Sequence, residues 1–405
     1  PRPPRASGKG VCRNSKADTG SSLVKPPPAG LPGTRAPEPN LRPYPRSVTT
    51  SLSPALASMH AAMSAAVAAA SSVCSAVQAR LEQLRAITKD DKSPVTIADF
   101  ASQAVVARAL RAALGDDLLL VGEESSSFLR DPQHAVQLEA TLAVLRDGDK
   151  PAWPDVTADS LFHAIDGGDA DPLSPRAVAA GFFTLDPIDG TKGFLRGGQY
   201  AVALAFVRDG VPQLAAMGCP NLAPDPTVSA ETPALSGSLF CASRAGGSVT
   251  QSPLGGLYGR GGGDLAISPA SRAAFASARR HPVLAESVES AHSDQSASAI
   301  IMRELDPGYT LVRLDSQCKY AVVARGQADV YLRLPSSKGY VERIWDHAAG
   351  ALIAEEAGCI VSDVFGKPLD FGHGRGLEMN KGIVVAPAVL HPRVIAAIDK
   401  HRPRD

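Results

Sequence analysis

The string Leu185-Asp186-Pro187-Ile188-Asp189-Gly190-Thr191 puts two carboxylates three residues apart, directly after an apolar run. Pro187 fixes its own φ, Gly190 permits a backbone turn closed to other residues, and Thr191 is suited to open a helix as its N-cap. A strand end that meets a helix N-terminus offers backbone N–H groups to an anion. Two carboxylates beside such a site would repel the anion unless cations lay between them. Hard oxygen donors of this kind suit magnesium, which commonly bridges protein carboxylates to phosphate oxygens. The bare pair is also what an ordinary acidic turn looks like, so the weight falls on the acids around it. Glu123-Glu124 ends a second apolar run through Val121-Gly122. Asp346 follows Trp345 and is read as starting a helix ahead of His347-Ala348-Ala349-Gly350. Asp99 is read at the head of another helix, behind Ser93-Pro94-Val95-Thr96.

The elements that must hold these acids are legible as periodic patterns. Apolar residues at helical spacing, among them Leu56, Met59, Met63, Val67, Val73, Val77, Leu81 and Leu84, predict a helix over 56–87. A second is predicted over 99–114, and a third over 135–145. Short strands are predicted at 118–121, 181–185 and 200–208, with Asp209-Gly210 turning the last into a hairpin with 211–219. A Pro- and Ser-rich loop at 222–236 separates this half from the next, and residues 246–263 form a Gly-rich excursion without an assigned role. The second half alternates: strand 328–334, helix 344–357, strand 359–362, the order of a layered α/β region. Arg333 alternates with Tyr331 on its strand, so the two should share a face.

The totals limit what kind of protein this is. Its 405 residues carry 41 basic and 41 acidic side chains, so nothing in the net charge suggests a nucleic-acid groove. No apolar run reaches the length of a membrane span, the longest lying at 61–70 with Ser64 inside it. The six cysteines show no CxxC pair and no zinc spacing; they read as buried free thiols, with a regulatory disulfide as the other possibility. Residues 1–55 are rich in Ser, Pro and Arg/Lys and poor in acids and large apolar side chains. That composition cannot offset its ordering entropy and is that of an organelle transit peptide. It implies a chloroplast or mitochondrial protein, or a cytoplasmic one if the segment is only a disordered tail.

Taken together, DKSPVTIAD (91–99), VGEES (121–125), LDPIDGTKGFLRG (185–197) and IWDHAAG (344–350) resemble the inositol monophosphatase superfamily. LDSQCKYAVVARGQADVYLRLP (314–335) and PLDFGHGRGL (368–377) narrow the resemblance to its 3′(2′),5′-bisphosphate nucleotidase branch, over residues 58–400. The resemblance implies a layered αβαβα sugar-phosphatase fold, combining an α+β domain at 56–220 with an α/β domain at 221–405. The first would carry most metal ligands, and the second the substrate contacts and Asp346. Glu123, Asp186, Asp189, Asp346 and the carbonyl of Ile188 match the family's magnesium ligands, for up to three ions. Asp99 and Thr191 match the pair that activates the attacking water. Gly190, Thr191, Asp346, Ser316, Lys319 and Arg333 match substrate contacts, as does His292, in a loop about a residue shorter than the family's. Asp315 lies in the same string as Ser316 and Lys319. Lys192 and Arg196 either attract substrate or serve the helix surface, and His347 reads as a hydrogen-bonded neighbour of Asp346.

The implied activity is magnesium-dependent, lithium-sensitive removal of the 3′-phosphate from adenosine 3′,5′-bisphosphate, giving AMP, and from 3′-phosphoadenosine 5′-phosphosulfate. The implied partner is a small bisphosphorylated nucleotide, with no nucleic acid and no membrane, bound by a monomer or homodimer. An inositol polyphosphate 1-phosphatase, acting on inositol 1,4-bisphosphate, and a nucleotide sensor without catalysis are the rival readings.

Overall fold

The computed structural model describes residues 52–88, 93–147, 152–244, 246–254, 264–289, 293–335 and 339–401. The organelle-targeting reading of the N-terminal segment, His292 and residues 255–263 of the Gly-rich stretch lie outside the described residues. Two sheets carry the fold. The first has seven strands in sequence order: β1 (Leu120–Gly122), β2 (Phe182–Asp189), β3 (Ala201–Arg208), β4 (Val211–Cys219), β5 (Gly237–Ser243), β6 (Val249–Leu254) and β7 (Leu265–Ile267). Only β1 and β2 pair in parallel; the rest form an antiparallel meander. Asp209 and Gly210 both take positive φ, 53° and 69°, which suits the twist of a tight hairpin between β3 and β4. The second sheet holds β8 (Val283–Glu286), β9 (Thr310–Arg313), β10 (Val330–Arg333), β11 (Cys359–Ser362) and β12 (Ile383–Pro387), in the order β11-β12-β10-β8-β9.

Three apolar cores alternate with the sheets and stack them into five layers. On one face of the first sheet, helices Pro54–Gln78, Ser93–Leu114, Ala135–Arg146 and Ala158–Asp166 pack on Phe183, Leu185, Val202, Leu204 and Phe206. Its other face meets helices Cys318–Ala324 and Ala348–Glu356, which also cover Val283, Ala285, Tyr331 and Val385 of the second sheet. The far face of that sheet buries Leu284, Leu332 and Val384 under helices Gln295–Leu305 and His391–His401. This is the αβαβα arrangement expected from the sequence. Each fully buried Leu or Phe in these cores contributes about 1.5–3 kcal/mol of transfer free energy.

Several elements differ from their predicted extents. The single helix expected over 56–87 is two, Pro54–Gln78 and Leu81–Thr88, broken at Ala79-Arg80 where no Gly or Pro marks a stop. The first begins earlier than predicted because Ser53 accepts from Leu56 N–H and Pro54 fits the first turn. At 25 residues, with an 18-residue stretch of mean hydropathy 1.4, it is long and apolar enough to cross a bilayer by length and composition, contrary to the expectation from the 61–70 run. Its face of Met63, Ala66, Val67, Ala70, Cys74 and Val77 is buried against helix Ser93–Leu114 and β4. The fit to β4 is close: a Cβ on Gly218 would lie 2.2 Å from Ser71 Oγ.

Candidate active site

Strand β2 does not stop at Leu185, as the sequence predicts, but runs on through Asp189. In a regular strand, residues three apart point to opposite faces. Here Asp186 pairs with Ala203 and Asp189 with Ala201, so three steps on β2 match two on β3. That bulge brings both carboxylates to the same side of the sheet. Ile188 keeps its side chain in the helix-side core, 2% exposed, so it is its main chain that borders the cleft. Gly190 follows at φ +90°, and a Cβ on it would sit 2.8 Å from Ser316 Cβ. Both facts require glycine. Gly190 also takes the N-cap position predicted for Thr191, which becomes the first residue of the short helix Thr191–Leu195.

Helix Ser93–Leu114 supports the strand ends from below. It starts six residues before Asp99, which therefore lies in its second turn and not at its head. Asp99, Ser102 and Gln103 occupy positions i, i+3 and i+4, one face of the helix. Ser102 Oγ donates to Pro187 O at 2.9 Å, holding the bulge. Gln103 Nε2 donates to Glu124 O at 2.7 Å, and its Oε1 accepts from Glu124 N at 3.0 Å. Gln103 comes so near that a Cβ on Gly122 would lie 2.5 Å from its Oε1. Glu123 and Glu124 are thus fixed by a side chain one helix away. Arg375 completes the brace, donating to Gly122 O and stacking 5.0 Å over Trp345.

Asp346 lies in a turn ahead of helix Ala348–Glu356, whose N-cap is His347, and not in the helix itself as predicted. His347 is 1% exposed and hydrogen-bonded on both ring nitrogens, Nδ1 to Tyr320 Oη at 2.9 Å and Nε2 to Glu342 Oε2 at 3.2 Å. Glu342 in turn takes Arg333 in a two-point ion pair, at 2.8 and 2.7 Å. Gln317 reaches into the same region: its N–H donates to Asp189 Oδ2 at 2.5 Å, and its Nε2 to Trp345 O at 2.9 Å.

The acids, with Gln317 and Arg333, meet in one cavity of about 1300 Å³, behind which Ser102, Gln103, Arg375 and His347 act as supports. Asp99, Glu123, Asp186, Asp189 and Asp346 all open on it, and every one has its carboxyl pushed upward. For Asp186 the causes are burial, then Glu123, Asp189, Asp346 and Asp99. Burial and Asp189 lift Asp346 to about 8. Glu123 is open to the water of the cleft but hemmed in by its walls. That partial desolvation, with Glu124 and Asp189 beside it, lifts it to about 7. Glu342 behaves oppositely: despite burial, His347 and Arg333 hold it at about 2, so it is a fixed anion already partnered. Burial lowers the Lys319 ammonium to about 8, against the pull of Asp189.

The structure brings Glu123, Asp186, Ile188, Asp189, Gly190, Thr191, Asp99, Asp346, Ser316, Lys319 and Arg333 to this one cavity. Some do not stand as the sequence suggests. Arg333 and Tyr331 both line the cavity, but Arg333 is engaged by Glu342 and lies 4.0 Å from Asp346. Lys192 and Arg196 are paired with Glu289 at 2.8 and 2.6 Å, and Arg196 also with Asp315 at 2.6 Å. Among the described residues no hydrogen bond joins Thr191 to Asp99. Gln103, Gln317, Glu342 and Arg375 were not singled out from sequence.

The donor set fits hard divalent cations. Four carboxylates from three separate segments converge with only oxygen to offer, and Asp186 Oδ1 is buried with no hydrogen-bond partner. Glu342, Asp346 and His347 also cluster within 4.8 Å, but Glu342 and His347 are committed to Arg333, Tyr320 and each other.

Comparison with known proteins points the same way. A model of the inositol monophosphatase family matches residues 57–402. The chain is 39% identical over 332 residues to a 3′(2′),5′-bisphosphate nucleotidase of Emericella nidulans, covering 78% of this chain and 90% of that one. It is 39% identical over 318 residues to the Schizosaccharomyces pombe protein of the same name, covering 77% and 85%. A probable 3′(2′),5′-bisphosphate nucleotidase of Arabidopsis thaliana is 37% identical over 327 residues, 80% and 88% of the two chains. In three dimensions an inositol monophosphatase from Anabaena superposes with a TM-score of 0.51 at 18% identity, covering 85% and 97%. That similarity bears on the fold alone.

Proposed function

The chain belongs to the inositol monophosphatase family, and from that premise we propose that it is a phosphomonoesterase that removes the 3′-phosphate of adenosine 3′,5′-bisphosphate, and of its 5′-phosphosulfate relative. The observation that carries this reading is the convergence of uncompensated carboxylates and the buried Lys319 in one cavity. The nucleotidase names of relatives over most of the chain support the substrate.

Magnesium, up to three ions held by Glu123, Asp186, Asp189, Asp346 and the Ile188 carbonyl, would supply a water of lowered pKa and neutralise phosphoryl charge. The chain's own groups do the rest. Asp99, its carboxyl raised by burial, Glu124 and Glu123, takes the proton of the attacking water through the Thr191 hydroxyl, once the two close to hydrogen-bond distance. The main chain at Gly190-Thr191 offers N–H groups to the phosphoryl oxygens. Lys319 and Arg333, on the opposite wall, receive the second phosphate and the nucleoside, Arg333 through the guanidinium edge that Glu342 leaves open.

The test is phosphate release from adenosine 3′,5′-bisphosphate and inositol 1,4-bisphosphate, with and without magnesium and with added lithium. Magnesium-dependent, lithium-sensitive release favouring the nucleotide supports the reading. Preference for the inositol ester would keep the metal site and overturn the substrate. Binding of the nucleotide without release from either would favour a sensor.

A further inference from the structure

The reading of the carboxylates as a metal site raises a mechanical question. Asp189 ends a strand of the first sheet, whereas Asp346 sits in a turn more than 150 residues later, and a metal centre that used both would demand that their spacing be fixed. One residue touches both segments. Gln317 donates its main-chain N–H to Asp189 Oδ2 at 2.5 Å. Its carboxamide spans the turn that carries Asp346, donating Nε2 to Trp345 O at 2.9 Å and accepting at Oε1 from Gly350 N at 3.0 Å. It is 2% exposed, with its own carbonyl taken by Tyr320 N–H at 2.9 Å.

The chain is bent to put it there. Ser316, just before, sits at φ +67°, one of two non-glycine residues with positive φ among those described. Such a conformation persists where the surroundings over-determine it, and clusters at functional sites. Here it is held by Cys318 N–H on Ser316 Oγ at 3.2 Å, and it packs so closely on Gly190 that a Cβ there would lie 2.8 Å from Ser316 Cβ. Without that bend, Gln317 could not face Asp189 with its backbone and the Trp345–Gly350 turn with its side chain.

We propose that Gln317 is the positioning residue that sets Asp189 against Asp346 for metal binding. The inference rests on the metal reading above, and the test separates the two. Binding of Mn²⁺ to the substrate-free protein is followed by the loss of the free-ion EPR signal, for wild type and for Gln317→Met. The latter keeps the length of the side chain and the main-chain N–H to Asp189, but neither carboxamide hydrogen bond. Circular dichroism establishes that the variant is folded. Removing a group that orients metal ligands typically weakens the metal about 10–100-fold. The expected result is a loss of that size in Mn²⁺ affinity, with kcat recovering at high Mg²⁺ and KM for the nucleotide then unchanged. A merely structural role would lower thermal stability and leave Mn²⁺ affinity of the folded protein alone, and that outcome overturns the proposal. If Gln317→Met does not fold, Gln317→Glu, which keeps the acceptor for Gly350 N–H, is titrated the same way and the same two outcomes decide. Failure of the wild type to bind Mn²⁺ would sink the metal reading itself, and the proposal with it.

Discussion

The two walls of the cleft are built on opposite electrostatic plans. On the wall from β1, β2 and helix Ser93–Leu114, acids crowd together with too few cations, and their carboxyls are all pushed upward. On the wall from β10 and the following turn, every charge but Asp346 comes already matched. Arg333 faces Glu342, Glu342 faces His347, and Tyr320 closes the chain. A protein that only needed to be stable would have avoided the first arrangement, since each unpaired buried charge costs several kcal/mol. The acidic wall is therefore incomplete as protein alone, and the cations proposed above are what would complete it. The paired wall is finished in advance and presents a rigid shape to whatever enters.

Breaking the acidic wall should have the largest effect. Asp189→Asn is expected to lower kcat/KM on the order of a thousandfold, several kcal/mol of charge stabilisation at ~1.4 kcal/mol per decade. The metal-free variant should melt no lower than metal-free wild type, because a repelling charge has gone. A variant that kept activity would remove Asp189 from the metal site. On helix Cys318–Ala324, Lys319→Met should cost about 10–100-fold in kcat/KM for adenosine 3′,5′-bisphosphate, the worth of one charged hydrogen bond. A small aryl phosphate should be affected far less, and equal losses on the two would contradict a role in substrate choice.

The unpaired acids of both walls should also govern how pH acts on stability. Glu123 at about 7 and Asp346 at about 8 hold protons in the folded, metal-free protein that an unfolded carboxylate, at about 4, has already lost. Across that window the folded state binds more protons than the unfolded one, so stability falls as pH rises. Melts in EDTA should therefore decline from pH 4.5 towards 8, and magnesium should remove most of the decline. A flat profile in EDTA would mean that the acids are not crowded as described. The smallest effect belongs to the rim. Arg196 is 43% exposed, and Arg196→Gln, which breaks its pairs to Glu289 and Asp315, should cost under about 1 kcal/mol. The cost should shrink further in molar salt, and a large loss of activity would return Arg196 to the substrate contacts.

What could be read from the sequence was local. Asp186, Asp189, Glu123 and Asp346 each announce themselves by short strings in which proline, glycine and acid fall at fixed offsets, and periodicity gave the helices and hairpin around them. The residues that hold these acids in place were not legible, because what defines them is a partner far away. Gln317 meets Asp189 across 128 positions and Arg375 meets Gly122 across 253. Neither a glutamine nor an arginine carries a local mark of such a role. Arg333 was visible, but its pairing with Glu342 depends on how the chain folds back after β10, which no spacing encodes. Asp99 reads as a helix head, preceded by Ser93-Pro94-Val95-Thr96. The helix does start there, and the aspartate simply lies one turn further along.

The slip in β2 has one more consequence. Between Asp186 and Asp189 the strand is out of step with β3, so the peptide groups at Pro187 and Ile188 are released from the regular ladder. Pro187 has no N–H to forfeit, which is why the irregularity is cheap at that point. What is released is an oxygen that carries no proton at any ordinary pH and belongs to no side chain. A cation resting there would be served by the path of the main chain, so exchanging Ile188 for another apolar residue leaves the donor in place. Unlike the carboxylates facing the cleft, this oxygen neither titrates nor depends on the side chain of its own residue.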